Sequence, residues 1–327
     1  MTDQTASAVL PLEAAGWRDY LALLKPRVMS LVVFTAFTGM VCSGQAMDPL
    51  LAMVAILCIA IGAGGSAALN MAYDADIDAL MKRTRNRPVP AGRVQAADAL
   101  ALGVALSLFS VGIMGLAVNW LSAGLLAFTI LFYAVVYTLW LKRRTTQNIV
   151  IGGLAGALPP VVGWAAASGA APLNAWILVG IVFFWTPPHF WALSLYTTTD
   201  YAKAGVPMLP VVKGARVTRI QILLYSLLLA PIGLAPALTG LGGPIYLVVS
   251  GLGAAGLLAL AVRLLFSRAG EPAPPLPDGR KEGLYDVRVA ARPARDLFAF
   301  SLLYLFGLFA ALLIERTPLI AGLGLRL

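Results

Sequence analysis

Asn70, Asp74 and Asp78 lie four residues apart, so on a helix their three oxygen-bearing side chains share one face. These are hard donors of the kind Mg²⁺ prefers to the thiol and imidazole sets of zinc. Two carboxylates at i and i+4 repel one another, and more so beside lipid, where water screens them less; the pattern calls for positive charge. Within nine residues of Asp78 come Lys82, Arg83, Arg85 and Arg87. Forked guanidinium donors suit phosphate oxygens, and Mg²⁺ usually binds one or two carboxylates together with substrate phosphates. Read together, Asn70, Asp74 and Asp78 are candidate metal ligands. Asn70, Arg83 and Arg87 are candidate diphosphate contacts, and Asp74, Asp78, Arg83 and Arg87 are the candidate catalytic set. Asp76 is two residues out of phase and is expected to face a cation in its own loop.

The elements that must hold this cluster are membrane spans. Of 327 residues, 60% are hydrophobic and 12% charged, which excludes an ordinary soluble domain. Nine apolar stretches approach the length of about 20 residues that a spanning helix needs, near 28–45, 50–70, 97–118, 120–141, 148–168, 173–196, 218–238, 243–266 and 296–314. The 70–87 cluster therefore falls where the second span meets water. Glycine and proline pairs inside spans, among them Gly152-Gly153, Pro159-Pro160 and Pro187-Pro188, fit close helix packing and kinks. Cys42 and Cys58 both lie in apolar stretches, too few and too buried for a disulfide framework or zinc site.

Charge sets the orientation. Of the 24 Lys and Arg, 22 precede the first span or follow an even-numbered one, while the loops near 46–49, 119, 169–172 and 239–242 carry none. The positive-inside rule puts the N-terminus and the basic loops in the cytoplasm and the C-terminus outside. The net charge of +9 is thus explained by topology and anionic headgroups, and no nucleic-acid partner is expected. Residues 1–20 read as a disordered cytoplasmic tail without a basic leader, which favours a bacterial inner membrane. Residues 21–315 form one transmembrane domain with cytoplasmic loops 71–96, 142–147, 197–217 and 267–295, and 316–327 a short periplasmic tail. The Pro-rich run 271–279 should be extended, with a surface helix in the basic remainder of that loop.

A second polar patch, Tyr196-Thr-Thr-Thr-Asp200-Tyr201 with Lys203, ends span six on the same membrane face as Asp74. The four-span separation suggests two parallel four-helix repeats. Asp200 and Lys203 are further candidates for the diphosphate. His189, the single histidine, lies in span six, where an ionisable group suggests function; the plain alternative is a bond to a backbone carbonyl. Lys25, Arg27, Lys142 and Arg143 are cytoplasmic cations that topology alone explains.

The run Asn70-x₃-Asp74-x₂-Ile77-Asp78-x₂-Met81-x-Arg83-Thr84-x₂-Arg87-x₄-Gly92 resembles the signature of the UbiA-type intramembrane prenyltransferase superfamily. Leu24-Lys-Pro-Arg-Val-Met-Ser30, Leu141-Lys-Arg-Arg-Thr-Thr-Gln-Asn-Ile149, Gly156-Ala-Leu-Pro-Pro160, Trp185-Thr-Pro-Pro-His-Phe190 and the block Asp200 to Lys213 are similar to its heme-farnesylating branch. The resemblance spans about residue 21 to 310. It implies an all-α integral membrane protein, with nine transmembrane helices around a central cavity, arranged as two four-helix pseudo-repeats plus a final helix. It implies Mg²⁺-dependent transfer of farnesyl from farnesyl diphosphate to a vinyl of heme B, with water added, to give heme O. It implies that Asn70, Asp74 and Asp78 hold Mg²⁺, that Arg83 and Arg87 neutralise the leaving diphosphate, that His189 is a candidate heme contact with Lys25, Arg27, Lys142 and Arg143 as candidates for heme propionates, and that heme A synthase or terminal oxidase assembly proteins are downstream partners. The superfamily's second Asp-x₃-Asp pair is reduced here to Asp200 alone, which puts a second Mg²⁺ in doubt. A quinone-precursor or chlorin acceptor, a secondary transporter and a heme-delivery factor are the competing readings.

Overall fold

The computed structural model describes residues 15–271 and 284–317, and nothing but helix and connection is found among them. The first apolar stretch is two helices, α1 (Trp17–Leu23) and α2 (Pro26–Cys42), meeting at 49°. The joint is Lys25, at φ 49°, the one non-glycine residue at positive φ among the described residues, a conformation that side chains with a Cβ rarely adopt. Pro26 follows as the first residue of α2, where its missing N–H costs nothing.

Span two is α3 (Pro49–Tyr73), opened by Asp48, whose carboxylate accepts from the N–H groups of Leu50 and Leu51. The short α4 (Ala75–Leu80) follows with Asp74 at the bend. Span three is α5 (Ala96–Ile113), ending in a π-helical turn, Met114–Val118. Span four is α6 (Trp120–Leu131), continued by ten π-helical residues, Phe132–Leu141. Span five is broken at Leu158 into α7 (Asn148–Ala157) and α8 (Pro159–Ser168), since Pro159 and Pro160 lack N–H groups for the preceding turn. Span six is α9 (Leu173–Tyr196), which carries Pro187 and Pro188 without interruption. The short helices α10 (Thr198–Lys203) and α11 (Leu209–Val212) lead to spans seven to nine, α12 (Ala215–Leu238), α13 (Pro244–Leu265) and α14 (Leu284–Glu315).

Among the described residues eight helices are long and apolar enough to cross a membrane unaided, and the bent α1–α2 pair, taken as one span, makes nine. Sequential spans are neighbours, and α14 returns to α2, where Phe34 stacks on Phe306 with ring centroids 4.9 Å apart, closing the ring. At the crossing of α2 and α8 the backbones nearly touch. A Cβ on Gly39 would lie 2.0 Å from the Pro160 carbonyl oxygen, and one on Gly163 1.9 Å from that of Ala36, so only glycine fits.

Several boundaries differ from expectation. Residues 17–20, assigned to a disordered tail, form the first turn of α1, because Asp19 pairs with Arg93 at 2.8 Å and Leu23 is buried beside Val89 and Val94. The 71–96 and 197–217 loops contain α4, α10 and α11. Residues 284–295, placed in a loop with a separate surface helix, are continuous with the last span as α14. The Pro-rich segment and the tail beyond Thr317 lie outside the described residues, as do residues 1–14.

Candidate active site

Asn70 occupies the last turn of α3, Asp74 the bend and Asp78 the first turns of α4. The helix is not continuous as expected, but the Asp74 N–H still reaches the Asn70 carbonyl (3.0 Å) and the Asp78 N–H that of Asp74 (2.8 Å), so the four-residue register survives the bend. All three side chains are buried, Asp74 completely. A buried carboxylate without partners costs several kcal/mol, so their surroundings decide what they are for.

Those surroundings are cations drawn from three other parts of the chain. Lys142, just past the π-helical end of span four, donates to Asp74 Oδ2, as does Asn70 Nδ2 at 2.6 Å. The same Asn70 nitrogen donates to Thr138 Oγ1 (3.1 Å), and Lys25 Nζ donates to Asn70 Oδ1 (2.9 Å). Arg87 Nη1 donates to Asp78 Oδ2 (2.6 Å), while the Thr84 hydroxyl holds the Asp78 carbonyl at 2.8 Å. Lys25, Lys142 and Arg143, also candidates for heme propionates, lie beside the acids, because the bend at Lys25 and the end of span four both face Asn70 and Asp74. Arg143 makes a two-pronged pair with Asp76 (2.7 Å to each oxygen) and lies 3.6 Å from Asp74 Oδ1. Asp76 therefore faces span four, not a cation of its own loop. The Arg143 bonds hold the Asp76 carboxyl below its ordinary range and raise the Arg143 guanidinium in turn.

Two buried atoms of the cluster are unsatisfied, Asp74 Oδ1 and Arg143 Nε, and the first is an acceptor. Asp74 Oδ1 is buried and has no hydrogen-bond partner. An orphaned buried carboxylate oxygen beside a second carboxylate and an amide oxygen is a donor set that fits one hard divalent cation, the rest of whose sphere must come from a ligand or water. Asn70, Asp74 and Asp78 would hold it. Among the described residues no group of three His, Cys, Asp or Glu side chains offers a metal site.

The second patch joins the first through packing. Ile77 and Met81 from the acid segment are buried together with Tyr201, Ala204, Val206 and Met208, which sets α10 against α4. Exposed Arg83 reaches Tyr201 Oη at 3.5 Å. Asp200 is half-buried and Lys203 exposed, and neither enters an ion pair among the described residues. Arg27 is exposed and likewise enters no ion pair among the described residues. His189 is not joined to this cluster. Its ring lies between Trp185 (4.3 Å) and Phe298 (4.4 Å), with Nδ1 2.7 Å from Ser301 Oγ. The carbonyl of Ser301 also takes the Trp185 indole N–H at 2.7 Å, so this polar knot ties span six to span nine.

The comparisons with known proteins agree with this arrangement of spans. The model of the UbiA prenyltransferase family matches residues 32–276. The chain belongs to the UbiA prenyltransferase family. Among curated members, the protoheme IX farnesyltransferase of Caulobacter vibrioides is 68% identical over 308 residues, covering 93% of this chain and 92% of that one. The enzyme of the same name from Azorhizobium caulinodans is 55% identical, covering 96% and 98%. A solved digeranylgeranylglyceryl phosphate synthase shares the fold at a TM-score of 0.71 and 15% identity, covering 91% of this chain and 98% of that one. A UbiA homolog from Archaeoglobus fulgidus, solved with DMAPP and Mg²⁺, gives 0.58 and 16%, covering 88% and 99%. Family membership and the apolar spans make this an integral membrane prenyltransferase.

Thr138 is the site residue that sequence reasoning missed. It lies in an apolar run, and only the π-helical winding, which no short-range periodicity announces, turns it towards Asn70.

Proposed function

We propose that the chain transfers the farnesyl group of farnesyl diphosphate to a vinyl group of heme B, with addition of water, giving heme O and diphosphate. The observation that carries the diphosphate half is Asp74: fully buried, one oxygen orphaned, and ringed by Lys25, Lys142, Arg143 and Asn70. The acceptor half is supported by the similarity to curated protoheme IX farnesyltransferases.

Lys25, Lys142 and Arg87 lie where the diphosphate would enter, and exchange of their carboxylate partners for phosphate oxygens would keep each cation paired. Mg²⁺, when bound by Asn70, Asp74 and Asp78, would supply charge neutralisation for the leaving diphosphate. As the allylic C–O bond breaks, its electron pair leaves with diphosphate, whose growing charge the lysines and arginines absorb. The vinyl π electrons of heme B form the new C–C bond to the farnesyl cation. Water captures the carbocation left beside the porphyrin and loses a proton. Apolar helix walls delay water until the C–C bond has formed. Exposed Arg83 and Lys203, at the same end, are the outer contacts for the departing diphosphate. The basic loops place this end in the cytoplasm of a bacterial inner membrane, with heme A synthase or oxidase assembly proteins receiving the product.

The test is acceptor choice. Purified protein with Mg²⁺ and farnesyl diphosphate is expected to convert heme B to heme O by mass spectrometry. Turnover of 4-hydroxybenzoate with none of heme B would overturn the acceptor.

A further inference from the structure

We propose that Thr138 is a positioning residue for the reaction: its hydroxyl fixes the amide of Asn70 so that Oδ1, not Nδ2, faces the cations of the site. The argument is a count of protons. A threonine hydroxyl has one hydrogen, and Thr138 gives it to the Tyr133 carbonyl at 2.9 Å. Its lone pairs are left to accept, and Asn70 Nδ2 donates to them at 3.1 Å. The second proton of that nitrogen goes to Asp74 Oδ2 at 2.6 Å. Both amide protons are then spent, and Oδ1 is turned to the Lys25 ammonium at 2.9 Å. The flipped amide would set NH₂ against NH₃⁺ and carbonyl oxygen against a carboxylate, donor facing donor and acceptor facing acceptor. The orientation follows from this chemistry, not from a choice between two similar atoms.

The backbone is wound to make this possible. Thr138 lies within the ten π-helical residues of span four, where the Lys142 N–H reaches the Tyr137 carbonyl five residues back at 2.9 Å, and its side-chain hydroxyl likewise reaches the carbonyl of Tyr133. A longer turn carries position 138 round to α3, where it is buried at 1% exposure against Asn70, itself 3% exposed. Valine has the same shape but neither gives nor accepts a hydrogen bond, so Thr138→Val leaves one Asn70 Nδ2 proton buried without a partner and loosens the amide, while Thr138→Ser keeps the hydroxyl.

The inference rests on the reading of Asn70 as a diphosphate-end ligand, and its test separates the two. Mn²⁺ binding is followed by electron paramagnetic resonance on purified full-length protein, with farnesyl diphosphate present and heme absent. Wild type binds, Thr138→Val binds about tenfold more weakly, and Thr138→Ser stays within about twofold. In turnover, Thr138→Val lowers kcat/KM for farnesyl diphosphate by a similar factor and leaves the KM for heme B unchanged. With Asn70→Ala already in place, Thr138→Val has no further effect on Mn²⁺. Should Thr138→Val not fold, Thr138→Ala removes the same hydroxyl and carries the same expectations. Wild-type Mn²⁺ binding in Thr138→Val or Thr138→Ala, equal losses in the serine variant, or additive losses with Asn70→Ala would overturn the role of Thr138. No Mn²⁺ binding by wild type would overturn the diphosphate reading, and the inference with it.

Discussion

Asp74 and Asp76 are two residues apart and both face Arg143, yet their surroundings give them different work. Asp74 is fully buried and shares Oδ2 between Lys142 and Asn70, whereas the Asp76 side chain is 62% exposed and has only Arg143. Exposed ion pairs contribute about 0–1 kcal/mol, so Asp76→Asn should lower activity no more than about threefold, while Asp74→Asn should abolish it; heme O formation by each purified variant measures the contrast. The Arg143 bond holds the Asp76 carboxyl below the ordinary carboxylate value. Its pairing is therefore complete above that value and is lost only as pH falls through the lower folded one, so Asp76 should leave no inflection in the rate between pH 6 and 8. The acids themselves were legible from spacing, because hard ligands in four-residue register make sense only as a unit. Their partners were not: Lys142 lies 68 positions from Asp74 and Lys25 45 from Asn70, and nothing local distinguishes them from cations that merely obey the positive-inside rule.

Three departures from regular helix hold the site together: the left-handed joint at Lys25, the bend at Asp74, and the π-helical end of span four. Hydropathy found the spans, since length and apolarity suffice for that. It could not show the joints, because they depend on which side chains the far spans present. Pro187 and Pro188, which fit packing or a kink, lie buried inside α9 without interrupting it. The π-helix lends itself to a direct test. Deleting exposed Val135 removes one residue, and with it part of a turn, from the segment that carries Thr138 and leads into Lys142. The variant should still insert as an integral membrane protein and lose at least about 99% of its activity, as expected when misplacement of about 1 Å already costs on the order of 100-fold. Wild-type turnover by the deletion variant would contradict the positioning role of the π segment.

At the scale of the molecule, nine spans form a closed ring with its acids, its basic loops and its second polar patch at one end. The orientation of that end follows from charge and can be tested by labelling. In intact spheroplasts an impermeant maleimide should modify Ala170→Cys, in the uncharged loop after α8, and spare Gln147→Cys, in the basic loop before α7; native Cys42 and Cys58 are buried. The reverse pattern would invert the topology. The central claim is that one ring of buried acids and cations ionises farnesyl diphosphate for capture by heme B. The most direct measurement of it is stoichiometry: purified protein, Mg²⁺, farnesyl diphosphate and heme B in detergent, with diphosphate and heme O counted together. One heme O per diphosphate released is the expected result. Diphosphate released with farnesol and no heme O, or prenylation of 4-hydroxybenzoate alone, would contradict it.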